Sequence, residues 1–445
     1  MTAGNGAGRP TVAVIGGGFT GLAAALDLAT AGAKPVVLEA APEVAGLAAS
    51  FQVGGERLDA FYHHWFRSDH DIIELIEELG LAANLVWHAS STGLRYRGRT
   101  YRLSSPMDVL RFSPLGLRDR FRLGLLVLQV RRIKDWRVLE GLTARDWLIG
   151  LCGRRVFEIV WEPLLVGKFG SYADIVSAVW FWKKLALRGG SRTSGGRESL
   201  GYYRGSFQAL AEAIAGEIRA RGGEILTNAA VRSVEVRDRR ACGVVTDAGT
   251  IAADAILATP ALPVVTRLIE PYVSTEYVKK LRAIEYLANV CLVLELDSQL
   301  SPVYWLNVND AGFPFVGVIE HTNFESPETY GGRHVVYLSK YLPDTDPVFA
   351  LSTAELLEYS LPHLRRMFPT FRDESILGAH SSRARYAQPV VQPHYSSLIP
   401  AGASELDGFF LATMAQIYPE DRGTNYAVRE GRRAAAEIGR ALRLS

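Results

Sequence analysis

The pattern of apolar and polar positions divides the chain into three α/β segments, separated by two long stretches rich in aromatic residues. In the first segment, residues 11–15 form an apolar run of strand length, and the Ala- and Leu-rich residues 22–31 have helical periodicity. Gly32 ends this helix, and a second apolar run follows at residues 35–39. A strand, a helix and a strand in this order predict a parallel βαβ unit.

The same kinds of element return in the middle and at the end of the chain. Residues 206–220 are helical by pattern, and Ser206 is placed to act as the N-cap of that helix. Further strands are expected at residues 224–227, 231–236, 243–246, 255–259 and 408–413, and a last helix at residues 424–442.

Because these pieces are far apart in the sequence, we expect a discontinuous domain that carries insertions. Its parts are residues 10–90, 204–264 and 401–445, and a substrate-binding domain is formed by residues 91–203 and 265–400. The expected fold class is therefore α/β, α+β overall, with an inserted domain of mixed sheet and helices.

A glycine-rich turn joins the first predicted strand to the first predicted helix. Gly16, Gly18 and Gly21 form a G-x-G-x-x-G pattern, and Glu39 closes the second strand. In such a loop the three glycines allow a tight turn, close approach of a pyrophosphate, and close packing of helix on strand. The helix N-terminus attracts the phosphates, and an acid at the position of Glu39 binds ribose hydroxyls. The sequence therefore predicts a dinucleotide-binding site.

Three blocks of the chain resemble the superfamily of FAD-dependent amine oxidases, protoporphyrinogen oxidases and phytoene desaturases. The blocks are residues 12–51, residues 204–260 and residues 410–431. In the first block, the family's Gly-Gly-Arg turn after the acid reads Ala-Gly-Leu-Ala at residues 45–48. The resemblance implies a Rossmann-like FAD-binding domain, bound FAD and an oxidoreductase. Because no cysteine lies in the third block, we expect the FAD to be noncovalent, without the thioether link that occurs in the family.

The resemblance also implies which residues contact FAD. Val231 would bracket the adenine, Ala258 would lie in the strand beneath the cofactor, and backbone N–H groups after Thr424 would stabilise negative charge on reduced flavin. Ala415 stands where the family has an acid, and Glu420 or Asp421 is a candidate replacement. The FAD-binding candidates are Gly16, Gly18, Phe19, Thr20, Gly21, Glu39, Ala40, Gly46, Leu47, Ala48, Val231, Ala258, Thr424, Asn425 and Tyr426.

A histidine pair lies in an aromatic run directly after the first block. Residues 59–69 resemble the UDP-galactopyranose mutase segment that carries a flavin-adjacent histidine, and His64 matches that histidine. A neutral imidazole there would hydrogen-bond flavin or substrate, or shuttle a proton. The alternative interpretation is that His63 and His64 are hydrogen-bonded framework residues.

Lys168 is the second catalytic candidate, because lysine is scarce in this chain and the surrounding run resembles a segment that lines the substrate cavity in the superfamily. The alternative is a salt-bridged or surface lysine. Arg383 and Tyr386 are substrate-binding candidates in a stretch that we expect to be a loop with several prolines. They would clamp an anionic substrate, or else belong to a solvated loop.

Composition removes several classes of function. A net charge of +2 over 445 residues argues against a nucleic-acid binder, and three scattered cysteines without CxxC spacing argue against a metal cluster or a disulfide framework. The tail at residues 1–10 lacks the apolar core of a signal peptide, and apolar runs are too short to span a membrane. These observations favour a cytoplasmic protein that acts on a small molecule, and they do not predict its oligomeric state.

A basic stretch qualifies the prediction of location. Residues 111–137 place many arginines around the apolar residues 123–130. This pattern is typical of a partly buried helix with basic flanks, or of an amphipathic helix in peripheral contact with an anionic membrane.

Taken together, the sequence predicts an FAD-dependent oxidoreductase that transfers hydride at flavin N5 to or from a small, lipid-linked or nucleotide-linked substrate, with a sugar among the candidates. One alternative is a flavin-dependent sugar mutase of the UDP-galactopyranose mutase type. Another is a flavoprotein on a membrane surface without catalysis of its own.

Overall fold

A computed structural model of the protein describes residues 8–103, 105–190 and 198–444. The expectation for the N-terminal tail falls largely outside the described residues. The strands are β1 Thr11–Ile15, β2 Lys34–Leu38, β3 Ser50–Val53, β4 Glu56–Asp59, β5 Leu85–Ser90, β6 Thr92–Tyr96, β7 Arg99–Arg102, β8 Glu198–Tyr203, β9 Glu224–Leu226, β10 Val231–Arg237, β11 Arg240–Thr246, β12 Gly249–Ala252, β13 Ala255–Ala258, β14 Tyr286–Leu296, β15 Trp305–Val308, β16 Gly317–Glu320, β17 His334–Leu342, β18 Ile376–Pro389 and β19 Phe409–Leu411. The α-helices are α1 Phe19–Thr30, α2 His70–Glu78, α3 Pro106–Arg111, α4 Leu117–Arg132, α5 Ala144–Cys152, α6 Arg154–Val156, α7 Glu162–Phe169, α8 Ala178–Gly190, α9 Ser206–Ala220, α10 Leu262–Ile269, α11 Thr275–Arg282, α12 Thr353–Met367, α13 Tyr395–Leu398 and α14 Thr424–Leu442.

The first sheet is parallel and has the strand order β19-β13-β1-β2-β9. The strands β1, β2, β13 and β19 are almost entirely apolar and buried, which parallel strands require when both of their faces are covered. Val12 and Val14 face α1, α9 and α14, whereas Ala13 and Ile15 face the core that includes the antiparallel sheet β10-β11-β12 and α10. Because successive side chains of a strand point to opposite faces of the sheet, β1 contributes to two hydrophobic cores.

The second sheet is mixed and has the strand order β18-β14-β17-β16-β15-β6-β7. Its longest central strand, β14, is buried over nearly its whole length. Leu292 and Leu294 pack toward α12, and Cys291 and Val293 pack on the opposite face, toward the core shared with the first sheet. Helices α4, α5 and α8 pack against one another and extend the remaining core. The α/β class with an inserted mixed sheet is confirmed.

The sequence misplaced two local features. The N-cap of α9 is Gly205, and Ser206 has a φ of 81°, so its hydroxyl caps no helix N–H group. The buried carboxylate of Asp59 instead accepts a hydrogen bond from the N–H of Phe207 at 2.9 Å. A residue distant in sequence therefore supplies the cap that was expected locally.

The stretch that holds Arg383 and Tyr386 is not a loop. Both residues lie in β18, where Arg383 pairs with Val290 of β14. The prolines that suggested a loop stand at and beyond the end of this strand, so they do not interrupt its ladder of hydrogen bonds.

Candidate active site

The carboxyl ends of the parallel strands meet at one edge of the first sheet, which we call the carboxyl edge. The N–H of Thr259 donates to the carbonyl of Ile15 at 3.0 Å, and the N–H of Ala412 donates to the carbonyl of Ala258 at 3.1 Å. The turns that leave β1, β13 and β19 are thus held side by side. Ligands of open parallel sheets bind in the crevice beyond this edge.

The three motif glycines of this edge have different surroundings. Gly16 has a φ of 103°, and a Cβ there would lie 2.5 Å from Oγ1 of Thr259. A Cβ at Gly21 would collide with the carbonyl oxygen of Gly16. A Cβ at Gly18, in contrast, would meet no described atom within 4 Å. The loop therefore presents open space where the motif places a pyrophosphate.

Two helices begin at this edge without a side-chain cap from any described residue. Gly18 is the N-cap of α1, and Gly423 is the N-cap of α14. The N–H groups in the first turn of each helix are suited to hold anionic groups. Together with the open space at Gly18, these helix ends fit a bound dinucleotide.

Glu39 is held in place by backbone donors at the end of β2. Its carboxylate oxygens accept hydrogen bonds from the N–H groups of Gly17 at 2.7 Å and Ala41 at 2.8 Å. The N–H of Ala229 donates to the carbonyl of Glu39 at 2.8 Å, so the chain that enters β10 at Val231 passes beside this acid. The acid expected at the ribose and the residue expected at the adenine are therefore neighbours.

The turn after Glu39 lies against the glycine loop. The N–H of Ala45 donates to the carbonyl of Gly17 at 2.9 Å, and Ala45 has a φ of 103°, in the left-handed region that favours glycine. A Cβ at Gly46 would lie 3.3 Å from the Cα of Gly18. This turn thus contacts the glycine loop through its backbone, although alanine replaces one of the family's glycines.

Several of the other predicted cofactor residues have side chains that belong to the protein core. Phe19, Ala48 and Ala258 are buried, so these residues can reach a cofactor only through their backbone. Thr20 and Leu47 are partly exposed, and Ala40 is exposed.

Two residues at the start of α14 are engaged with other elements. Oγ1 of Thr424 accepts a hydrogen bond from Nε1 of Trp65 at 2.6 Å. The buried Asn425 accepts from the N–H of Ile72 at 3.1 Å, which joins α14 to α2. Tyr426 is stacked by the guanidinium of Arg429, 4.9 Å from its ring centroid. The side chains of Thr424 and Asn425 thus orient the helix end.

The aromatic and histidine run, residues 61–66, alternates between two neighbours. The hydroxyl of Tyr62 donates to Oγ of Ser339 at 3.1 Å, and Nδ1 of His64 lies 3.2 Å from the hydroxyl of Tyr304. These two residues therefore face the second sheet. His63, on the other side, packs against Phe207 with ring centroids 5.2 Å apart.

The two histidines therefore have different surroundings. Burial lowers the pKa of His63 to about 4, and the positive charge of Arg422 adds to this effect. His63 is therefore neutral near pH 7. His64 packs edge-on against Phe66 and Trp305, with ring centroids 5.4 Å and 6.0 Å away. The structure thus brings His63, which was expected only as a framework residue, into the field of Arg422.

A charged cluster surrounds Asp421, immediately before α14. Lys184 Nζ lies 2.6 Å and Lys168 Nζ 3.7 Å from the carboxylate of Asp421. Oδ1 of Asp421 also accepts hydrogen bonds from Nε1 of Trp180 at 2.9 Å and Nε2 of Gln388 at 3.0 Å. We call these five residues together with Arg422 the Asp421 cluster. It holds three basic side chains around one acid.

Lys168 of this cluster has an unusually low proton affinity for a lysine. Its Nζ lies 4.7 Å from the ring centroid of Trp180 and 5.2 Å from that of Tyr341. Burial lowers the pKa of Lys168 to about 7, because Asp421 compensates only in part and the positive charge of Lys184 adds to the effect.

Asp421 remains ionised beside these cations. Burial would raise the pKa of the Asp421 carboxyl, but Lys184, Lys168 and Arg422 together hold it well below its ordinary value. Glu420 is likewise engaged, with Lys183 at 3.1 Å and Arg429 at 2.8 Å. Both acids that were considered as replacements at Ala415 are therefore ion-paired.

Arg422 connects the cluster to the second sheet. Its Nη2 donates to the hydroxyl of Tyr341 at 2.7 Å, and its Nε donates to Oε1 of Gln388 at 3.2 Å. Burial dominates the pKa shifts of Tyr62, His63 and Lys168, yet all three side chains keep accessible surface. These three side chains are therefore largely removed from water, yet none of them is fully buried.

The structure does not unite Arg383 and Tyr386 in one clamp. Nε of Arg383 donates to the carbonyl of Phe349 at 2.9 Å, and its Nη2 donates to the carbonyl of Leu351. Tyr386 packs against Tyr286 with ring centroids 5.6 Å apart. The guanidinium of Arg383 is thus occupied at the exposed side of β18.

Sequence reasoning missed Trp180, Lys184, Tyr341 and Arg422 as members of the site. Only the adjacency of Arg422 to Asp421 and to the start of α14 pointed toward it. Within the described residues, no group of three or more His, Cys, Asp or Glu side chains is arranged to hold a metal ion.

The carboxyl edge and its two helix ends define a dinucleotide-binding fold with an inserted second domain. The chain belongs to the flavin-containing amine oxidoreductase family, whose sequence model matches residues 19–439. The protein is therefore an FAD-dependent oxidoreductase, as the sequence predicted.

Relatives within this fold act in different ways. The 15-cis-phytoene desaturase of Arabidopsis thaliana is 22% identical and is matched over 90% of this chain and 75% of its own length. A protein of Exiguobacterium sp. 255-15 that is provisionally assigned as a protoporphyrinogen oxidase has a TM-score of 0.77 at 19% identity, over 97% of this chain and 99% of its own. Reduced UDP-galactopyranose mutase has a TM-score of 0.75 at 15% identity, over 97% and 95% of the two chains. At these identities the structural likeness establishes the fold.

None of the helices in the described part of the chain has the length and hydropathy needed to cross a bilayer.

Proposed function

We propose that the protein oxidises or reduces a substrate held between the Asp421 cluster and the residue 61–66 run, by hydride transfer at N5 of FAD. The observation that carries this proposal is the amine of Lys168. It has a pKa near 7 and lies against the rings of Trp180 and Tyr341, next to the start of α14. FAD supplies the hydride acceptor or donor when it is bound.

The residues of the carboxyl edge would hold the cofactor. Gly16, Gly18 and the first turn of α1 would receive the pyrophosphate, and Glu39 would accept hydrogen bonds from the ribose. Open space at Gly18 and the orientation of Glu39 by Gly17 and Ala41 support these roles. The first turn of α14, which Thr424 and Asn425 orient, would face the flavin ring.

Lys168 would exchange a proton with the substrate. An amine whose pKa lies near 7 is present in both protonation states at neutral pH, which is the condition for efficient acid–base catalysis. Asp421 would position this amine, because its carboxylate is itself fixed by Trp180 and Gln388. His64 would contribute to the walls of the same space or relay a proton through Tyr304.

The charge of the cluster favours an anionic substrate over an amine cation. Lys168, Lys184 and Arg422 outnumber Asp421, and cations in a partly desolvated space attract carboxylate or phosphate groups. The substrate we propose therefore has an apolar or aromatic part and an acidic group. Nucleotide-linked and lipid-linked compounds meet this description.

A second candidate function is a flavin-dependent sugar mutase, in which no net oxidation occurs. The resemblance of residues 59–69 to the mutase segment favours it, and a diphosphate would suit the excess of cations. The two functions differ in one observable: a mutase requires reduced flavin and leaves it reduced after each turnover.

Anaerobic flavin reduction tests the proposal. The FAD-loaded protein is mixed with pairs of compounds that differ only in an acidic group, such as a carboxylic acid and its methyl ester. We expect the flavin absorbance to bleach with the acid and more slowly with the ester. Bleaching by amines alone would contradict the proposed substrate class, and isomerisation of a nucleotide sugar by pre-reduced protein without bleaching would establish the second candidate.

A further inference from the structure

Helices α3 and α4 carry a row of apolar side chains on the outside of the protein. Leu117 and Phe121 on α4 are 79% and 66% exposed, and Leu128 is more than half exposed. On the other side of the same helix, Leu123 and Leu126 are buried in the core. Helix α4 is therefore apolar on two faces, and the core accounts for only one of them.

The exposed residues form one continuous strip. Leu117, Phe121 and Leu128 are spaced by four and seven positions, which places them on one face of a helix. Helix α3 adds Leu110 next to this strip, since Arg120 of α4 donates to the carbonyl of Leu110 at 2.7 Å. Met107 and Leu110 are also more than half exposed. We call this strip the α3–α4 face.

Basic side chains border the strip at both ends. The exposed basic residues between positions 111 and 137 are Arg111, Arg118, Arg131, Arg132, Lys134 and Arg137. Two of the acids in this stretch have arginine partners: Asp119 lies 3.8 Å from Arg122, and Asp135 lies 3.2 Å from Arg137. The border of the α3–α4 face is thus positively charged, although the whole chain carries a net charge of only +2.

We propose that the α3–α4 face docks on the surface of a membrane that contains anionic lipids. The apolar strip would enter the boundary between headgroups and acyl chains, with α4 parallel to the membrane plane, and the basic border would contact lipid phosphates. Charge complementarity selects this occupant, because a helix that lies parallel to the membrane can insert its apolar strip while the cations at both of its ends reach lipid phosphates at the same depth. A partner protein or a second copy of the chain would have to bring its own dense anionic border.

The docking surface is firmly attached to the rest of the protein. Nε1 of Trp182 in α8 donates to the carbonyl of Val130 in α4 at 3.1 Å. Trp180 and Lys184 of the Asp421 cluster lie on the same helix α8. A membrane bound through α4 would therefore be separated from the candidate active site by one layer of helices.

Vesicle co-sedimentation of the FAD-loaded full-length protein tests this proposal. The probes are vesicles of phosphatidylcholine alone and vesicles with about a third phosphatidylglycerol. We expect binding to the anionic vesicles, weak binding to the neutral ones, and release as the salt concentration rises.

Paired variants separate the two contributions. Phe121→Ser with Leu128→Ser removes apolar contacts, and Arg132→Gln with Lys134→Gln removes charge. Each pair should lower the vesicle partition coefficient roughly tenfold or more. The matched controls are Val166→Ser with Leu377→Ser, which are similarly exposed, and Lys280→Gln with Arg372→Gln. These should change binding less than about twofold, since they lie outside the α3–α4 face.

Three results would overturn the proposal. The first is absence of binding to either kind of vesicle, and the second is equal loss in the control variants. The third is a dimer in light scattering that Phe121→Ser with Leu128→Ser dissociates while vesicle binding persists, which would assign the face to a second copy of the chain. Flavin content and circular dichroism of each variant show whether its fold is intact, and a variant that fails this check is replaced by Phe121→Gln alone, for which the same loss of binding is expected.

Discussion

The carboxyl edge and the Asp421 cluster meet at the start of α14 but are built in opposite ways. The carboxyl edge consists of backbone groups from the turns after β1, β2, β13 and β19, and most of its side chains are buried in the core. The Asp421 cluster consists of side chains from α7, α8, β18 and the segment before α14. The carboxyl edge depends on glycines at particular positions, whereas the Asp421 cluster depends on ion pairs between side chains.

This difference explains why the carboxyl edge could be predicted from the sequence and the Asp421 cluster could not. A tight turn at a phosphate requires glycine at fixed spacing, so the requirement leaves a local motif. An ion cluster only requires that charges meet in space, and Lys168 and Asp421 are far apart in the chain. The two parts should therefore respond differently to substitution, and the predictions below are ordered by the size of that response.

The largest effect is expected at the carboxyl edge. Gly18→Val should lower FAD affinity on the order of 100-fold, because its side chain occupies the open space in front of the loop, where a Cβ meets no described atom within 4 Å. Flavin content after gel filtration measures this. Gly216→Val is the matched control, because Gly216 also faces open space but lies on α9. Full flavin content in Gly18→Val would contradict the assignment of the loop.

The next effect is expected in the Asp421 cluster. Lys168→Met should lower the rate of substrate-dependent flavin reduction roughly 100-fold while FAD remains bound, because it removes a proton-transferring group. Lys340→Met serves as the control, since Lys340 neighbours Tyr341 on β17, whereas the lysines that pair with Asp421 in the described part of the chain are Lys168 and Lys184. Equal losses in both variants would assign Lys168 a structural role.

The third prediction concerns how the flavin reduction rate and the stability of the wild type and of Lys168→Met depend on pH. Burial lowers the pKa of Lys168 from 10.5 to about 7, so the reduction rate should rise with pH through about 7 if the neutral amine is the active form. Between these two values the unfolded chain binds a proton that the folded chain does not, so this residue makes the protein more stable as pH rises. Chemical denaturation at pH 7 and pH 9 should therefore show a gain of about 2 kcal/mol in the wild type relative to Lys168→Met. The absence of any difference would mean that Lys168 titrates normally.

The smallest effect is expected in the carboxyl edge and concerns the free energy of unfolding. Ala45 has a φ of 103°, which an alanine adopts only with strain. Ala45→Gly should raise the free energy of unfolding by about 0.5 kcal/mol, after the entropic cost of glycine is subtracted. Urea denaturation of the FAD-free protein measures this. Ala49→Gly, at a φ of −59°, should destabilise instead, and a loss in both variants would show that the turn carries no strain.

Elsewhere in the chain, too, the sequence predicted features that depend on local backbone preferences, and it did not predict contacts between side chains that are distant in the chain. Strand β1 and helix α14 have the predicted bounds, because apolar period and glycine placement are local properties. Ser206 was assigned as a cap because its residue type fits that role, whereas Asp59, distant in sequence, supplies the cap. The resemblance pointed to His64, but the sequence did not show that His63 packs against Phe207 and lies near the positive charge of Arg422, because both neighbours are distant in the chain.

The position of β19 has a consequence for the synthesis of this protein. β19 completes the first sheet beside β13, and α14 then packs on α1. Since residues 409–442 leave the ribosome after α1 and β13, the growing chain holds an unpaired strand edge at β13 and an uncovered face of α1 until these residues emerge. Exposed strand edges and apolar faces promote aggregation. A nascent chain of this protein therefore depends on shielding until β19 and α14 have emerged.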